Sequence, residues 1–346
     1  PICRLAGSTE TILPYAKTFV GIILLGAPFM CSSLMLNMQL RFEGEALHSM
    51  IAIVTGALLN IALEPLLIYG AGLGIAGSAI ATVVCQFVSF SILVWQIQRV
   101  GITPLSPKWL RRPTRSALRT IVNGGLPSFV RQCMLGVATT LLNGAARPFG
   151  DAAIAALAVV QRIAGIGNYV QIGIGQGFQP VIGYNYGARI YGRIREGYRF
   201  SVGTAFVAVA LMGVFSFAFA PQLVGLFSSD PEVIGIGTLA LRVESVTLPI
   251  TGTAMITNFL LQTMGRMWRA TVLGACRLGL VLGPVVLVLP PLLGLLGVQL
   301  AQPVTDVITF LVALPMAASA LRDLARGEHE AAAGKGGLAE GEREAC

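Results

Sequence analysis

Three charged side chains fall near the middles of long apolar runs: Arg162, Glu244 and Asp306. In a hydrocarbon surrounding such charges are costly, and acids placed there commonly serve as proton or ion relays. One cation and two carboxylates can partly neutralise each other and leave one acid free to take a proton or Na⁺. The bland alternative is a structural ion pair. Other charges lie shallower: Arg131 and Arg147 near span ends, where they can snorkel, with Arg277 expected to be shallow too. Glu64, in LNIALEP, is expected to cap or pair near a helix end.

Uncharged polar residues form a second pattern. At about 100° per residue, Gln132, Gly136, Thr139 and Asn143 share one helical stripe, and Gln161, Gly165, Asn168, Gly175 and Gln179 share another. Glu244, Thr247, Thr251, Asn258 and Gln262 line a third around Pro249, and Gln299, Gln302 and Asp306 a fourth around Pro303. Polar groups in lipid must be paired or hydrated. Either the stripes bond helix to helix, or they face a hydrated cavity, for which the small residues among them leave room. The residues taken as cavity contacts are Gln132, Asn143, Gln161, Asn168 and Gln171. Mid-helix prolines free backbone carbonyls that can bind an ion or permit bending.

The elements that must carry these stripes are membrane helices. The chain has 346 residues, 55% hydrophobic, with a mean hydropathy of +0.76. Only 12% are charged, against about 25% in soluble domains. Nine spans are expected, at 18–40, 48–69, 73–98, 127–147, 152–177, 200–227, 233–264, 270–290 and 297–321. Alternating barrel patterning is absent, so helices are the spanning option. Lys and Arg crowd the connections on one side, from Arg41 through Arg99–Arg119, Arg189–Arg199 and Arg266–Arg269 to Arg322 and Arg326. The other side has Arg4, Lys17 and Arg147, which predicts a cytoplasmic C-terminus.

Several chemistries fall away. GIGNYVQIGIGQG (165–177) looks like a glycine-rich phosphate loop but lies in a span with no preceding strand. No GxxxxGK[ST] is present, and the two histidines, His48 and His329, are far apart. Six cysteines are scattered without a CxxC pair, so neither a His-based metal site nor a disulfide framework is expected. The net charge of +8 sits between spans rather than in a nucleic-acid surface.

The chain also repeats itself. At an offset of 221, Pro28 matches Pro249, Leu40 matches Leu261 and Gly44 matches Gly265. At 220, Gly74 matches Gly294, Gly77 matches Gly297 and Ala81 matches Ala301. Residues 18–98 therefore read as a degenerate copy of 233–321. On that reading the spans from 127 to 227 had a counterpart before Pro1, and the original plan is two six-helix lobes.

At GQGFQPVIGYNYGAR (175–189) the sequence resembles the multidrug and toxic compound extrusion (MATE) transporters, in the MepA-like branch. GLPSFVRQ (125–132), GDAAIAALAVVQRI (150–163), LRFEG (40–44), GALLNIALEP (56–65), GLGIAGSAIATVVCQ (72–86) and LLGVQLAQPVTD (295–306) extend the likeness over residues 8–323. The resemblance implies an all-α two-lobe membrane bundle of twelve helices, of which helices 1–3 are absent here. Residues 1–98 would be the rest of the N-terminal lobe, 99–119 a cytoplasmic linker, 120–322 the C-terminal lobe and 323–346 a disordered cytoplasmic tail. It further implies no enzyme and no cofactor. The implied activity is H⁺- or Na⁺-coupled antiport of amphipathic, often cationic drugs by alternating access. Substrate would meet Gln132, Asn143, Gln161, Asn168 and Gln171, and Arg162, Glu244 and Asp306 would couple the ion. The expected setting is a monomer in the cell membrane, with no nucleic acid as partner. Residues 127–147 carry no acid, where some relatives have one, so the coupling ion does not carry over. A flippase of lipid-linked saccharides, or a truncated remnant that does not transport, would also fit the pattern.

Overall fold

A computed structural model describes residues 13–103 and 114–344, excluding the side chains of residues 123, 127 and 329–344. The described chain is helical and forms two compact units, Pro1–Pro113 and Thr114–Cys346. Most of the expected 99–119 linker, from 104 to 113, lies outside the described residues.

The first unit contains α1 (Leu13–Phe42), α2 (Ala46–Pro65, continued by a π turn over Leu66–Gly70) and α3 (Gly74–Val100). Helix α3 packs against both others, around Leu36, Leu40, Ala52, Leu93 and Ile97. Glu64 accepts a hydrogen bond from Ser78 Oγ at 2.5 Å, which is the pairing expected of it.

The second unit contains α4 (Arg115–Ala146), α5 (Asp151–Gly187), α6 (Tyr191–Ala218), the short α7 (Ala220–Gly225) and α8 (Pro231–Thr263). It continues with α9 (Met267–Ala275), a π turn over Cys276–Leu280, α10 (Leu282–Leu293) and α11 (Leu295–Glu344). Asp230 caps α8, accepting from Glu232 N–H at 2.9 Å, as an N-cap aspartate does. Helix α8 carries buried residues along most of its length, from Val233 to Leu261, on more than one face. It is the hub against which α5, α6 and α11 pack.

Among the described residues, eight helices are long and apolar enough to cross a membrane, not nine. The expected span 127–147 exists as part of α4, which has ample length. Arg131, Gln132, Thr139, Thr140 and Asn143 dilute it below the apolar content of the others. Helix α11 also runs through residues 323–344 of the segment expected to be disordered. Asp323 pairs with Arg266, and Glu328 pairs with Arg195.

The sequence repeat has a structural counterpart. Between α1 and α2, Gly44 takes a φ of 92°, with Gly44 N–H donating to Arg41 O at 3.2 Å and Glu45 N–H to Leu40 O at 2.8 Å. Between α8 and α9, Gly265 takes 78°, with Gly265 N–H donating to Gln262 O at 3.1 Å and Arg266 N–H to Leu261 O at 2.8 Å. Both are Schellman endings, whose left-handed residue favours glycine. Asn37 Nδ2 then donates to Ser49 O at 2.9 Å, and Asn258 Nδ2 to Ala270 O at 2.6 Å. Each asparagine clasps its helix to the next at the same relative position. Leu40, Leu261, Ala81 and Ala301 are all fully buried.

Candidate functional site: a polar cavity in the second unit

Three apolar clusters hold the second unit together, and a cavity of about 490 Å³ opens where they meet. Ala254 and Leu273 come to its wall from one cluster, Leu157 and Val160 from another, Ala138 and Leu142 from the third. Into this wall α4 brings Arg131, Gln132 and Thr139, and α5 brings Gln161, Asn168 and Tyr169. Helix α8 adds Glu244, Thr251 and Asn258, the π turn adds Arg277, and α11 adds Gln299, Gln302 and Thr309. Such an apolar pocket with a few convergent polar groups is the usual form of a small-molecule site.

The charge centre is Arg277. Its Nε donates to Asp306 Oδ1 at 2.7 Å and its Nη2 to Oδ2 at 3.4 Å, while Nη1 donates to Asn168 Oδ1 at 2.9 Å. Gln302 Nε2 also donates to Asp306 Oδ1, at 3.3 Å. The Asp306 side chain is only 1% exposed, so its pairing is essential. Glu244 lies beside this pair, close enough to interact electrostatically with both members. It lines the cavity, yet its carboxylate makes no hydrogen bond among the described residues.

Four of the sequence-predicted site residues, Gln132, Gln161, Asn168 and Glu244, line the cavity, and Asp306 backs it through Arg277. The other three are placed elsewhere. Arg162 is exposed and outside the lining, because it stands one residue, about 100°, from Gln161 on the cavity face. The cation of the cluster is instead Arg277, which is half-buried at the π turn in the middle of its apolar stretch rather than shallow. Asn143 is half-buried outside the lining. Gln171 is fully buried and donates to Thr251 Oγ1 at 2.7 Å, which ties α5 to α8 instead of facing the cavity.

The segment from Met267 to Leu293 is one 27-residue apolar stretch with a π turn at its centre. Its length puts Arg277 well inside, and π turns interrupt helices frequently at functional sites.

An all-helical membrane unit with a largely apolar cavity that gathers polar side chains around an ion pair is the construction of a transporter. Comparison with known proteins agrees: a MatE family model matches residues 1–66 and 127–288. The chain belongs to the MatE family and is a MATE transporter, not an enzyme. It is 28% identical over 314 residues to the multidrug export protein MepA of Staphylococcus saprophyticus, covering 90% of this chain and 69% of that one. MepA of Staphylococcus aureus strain MSSA476 is 27% identical over 301 residues, covering 86% of this chain and 65% of its own length. A solved outward-facing multidrug resistance MATE transporter of the MOP superfamily superimposes with a TM-score of 0.87 at 26% identity. That match covers 93% of this chain and 72% of the solved one.

Proposed function

We propose that this chain works as a secondary active multidrug exporter, exchanging H⁺ or Na⁺ for amphipathic, often cationic compounds by alternating access. The observation that carries the reading is Glu244: a carboxylate with no hydrogen bond among the described residues, in the wall of a largely apolar cavity. Such a group needs a counter-cation, and a proton, Na⁺ or a cationic drug supplies one. Competition for one carboxylate makes the exchange obligatory. Gln132, Gln161 and Asn168 offer the adaptable polar contacts that substrates of varied shape require. Relatives named as multidrug exporters support the substrate class.

In this reading residues 1–98 belong to one lobe and 120–322 to the other, and the arginine-rich connections and the C-terminus face the cytoplasm. The test is drug accumulation in a sensitive bacterial host expressing the full-length protein. Glu244→Gln and Asp306→Asn should each raise accumulation toward that of empty cells while membrane expression stays normal. Unchanged efflux in both variants would remove the coupling role.

A further inference from the structure

The two acids of the cavity are not equivalent. Asp306 is enclosed, holds both ends of the Arg277 guanidinium fork and receives the Gln302 amide as well. Arg277 is itself fixed from the far side by Asn168 on α5. Glu244 has no donor among the described residues, and it lines the space a ligand would fill. The charged groups around Glu244 are Arg277 from the π turn and Asp306 from α11, with Arg131 of α4 also in the cavity wall. Helix α5 contributes amides and Tyr169 to the lining, and no charged side chain.

We propose that Arg277 is a positioning residue that commits Asp306 to itself and leaves Glu244 as the single carboxylate of this cavity that exchanges a cation. A bidentate arginine–carboxylate pair fixes geometry as well as charge. The pair is electrically neutral, so it does not alter the charge that the cavity presents when Glu244 gains or loses a proton. The cavity therefore turns over one monovalent cation per cycle. Removal of the Arg277 charge would release Asp306 to act as a second exchanging acid. This inference rests on the coupling role proposed for Glu244.

The test is infrared spectroscopy of the protein in lipid bilayers without Na⁺, following the protonated carboxylic acid stretch as pH is lowered. The unaltered chain should show one acid band belonging to this cavity, identified by its loss in Glu244→Gln. Arg277→Gln should show two bands. The double variant Arg277→Met/Asp306→Leu, which removes the ion pair as a neutral unit, should retain one. A single band in Arg277→Gln, or loss of the band in the double variant, overturns the division of roles. Should Arg277→Gln fail to fold, the double variant decides alone. An unchanged band in Glu244→Gln instead overturns the coupling role of Glu244, so the two failures are distinguishable.

Discussion

Helices α1–α3 and helices α8–α11 are two renderings of one pattern, and they differ most where the cavity lies. Applying the repeat offsets, Arg277 corresponds to Gly56, Asp306 to Gln86 and Glu244 to Ile23. At Gly56 the neighbouring helix is so near that an added methyl would strike Ser89 and the Cys85 carbonyl. The same place in the second unit holds a guanidinium and a π turn. The shared parts are the Schellman turns, the asparagine clasps and the glycines at which α3 and α11 begin. The joints are shared, while the glycine at the close helix contact of the first unit is replaced in the second by an arginine in the cavity wall.

The comparison can be broken at its point of greatest contrast. Arg277→Met alone leaves Asp306 buried without its partner, and uncompensated buried charges cost about 3–5 kcal/mol. Thermal unfolding in detergent should show that loss, whereas Arg277→Met/Asp306→Leu should recover most of it. Equal stability of the single and double variants would mean that the pair is not what holds α11 to the π turn.

A smaller effect tests the joints. A methyl at Gly77 would strike the Leu67 carbonyl, and one at Gly297 the Leu289 carbonyl. Gly77→Ala and Gly297→Ala should each destabilise by about 1–3 kcal/mol, the range for overpacking. A loss in one unit and none in the other would show that the repeat is decorative at this joint. The clasps come next: Asn37→Ala removes a buried hydrogen bond and Asn258→Ala a part-buried one, each costing about 1 kcal/mol. Hydrogen exchange at the following turn should rise in both.

The smallest effect belongs to the first unit alone. Burial acts to raise the pKa of Glu43, but hydrogen bonds from Gln39, Ile102 and Thr103 outweigh it and hold the carboxyl below the ordinary glutamate range. Because the folded value is depressed, this clasp is at full strength above the unfolded pKa and fades as pH falls through the lowered one. Amide exchange at Ile102 should quicken over that acidic interval, and Glu43→Gln should flatten the response. The corresponding turn of the second unit has Met264 in place of Glu43 and should show no such transition.

Much of this was legible in the residues. Stripe spacing pointed Gln132, Gln161, Asn168 and Glu244 into a common space, because helical periodicity follows directly from sequence. The same periodicity, applied strictly, sets Arg162 off the stripe; depth in the span was the weaker criterion. Gln171 could not be distinguished from a cavity amide, since its partner Thr251 is 80 residues away. Asn143 shares a stripe with Gln132, but the cavity does not extend along the whole stripe.

The sequence by itself determined that the chain is a helical membrane protein, where most helices run, that one three-helix pattern occurs twice, and which glycines turn it. Those features depend on local periodicity, hydropathy and backbone freedom, all of which reside in neighbouring residues. Only the tertiary structure decided which cation meets Asp306, which acid stays unbonded and where packing leaves a cavity. Those outcomes depend on helices α5, α8 and α11 meeting around a π turn, and the energies that select the partners arise only once those helices are packed.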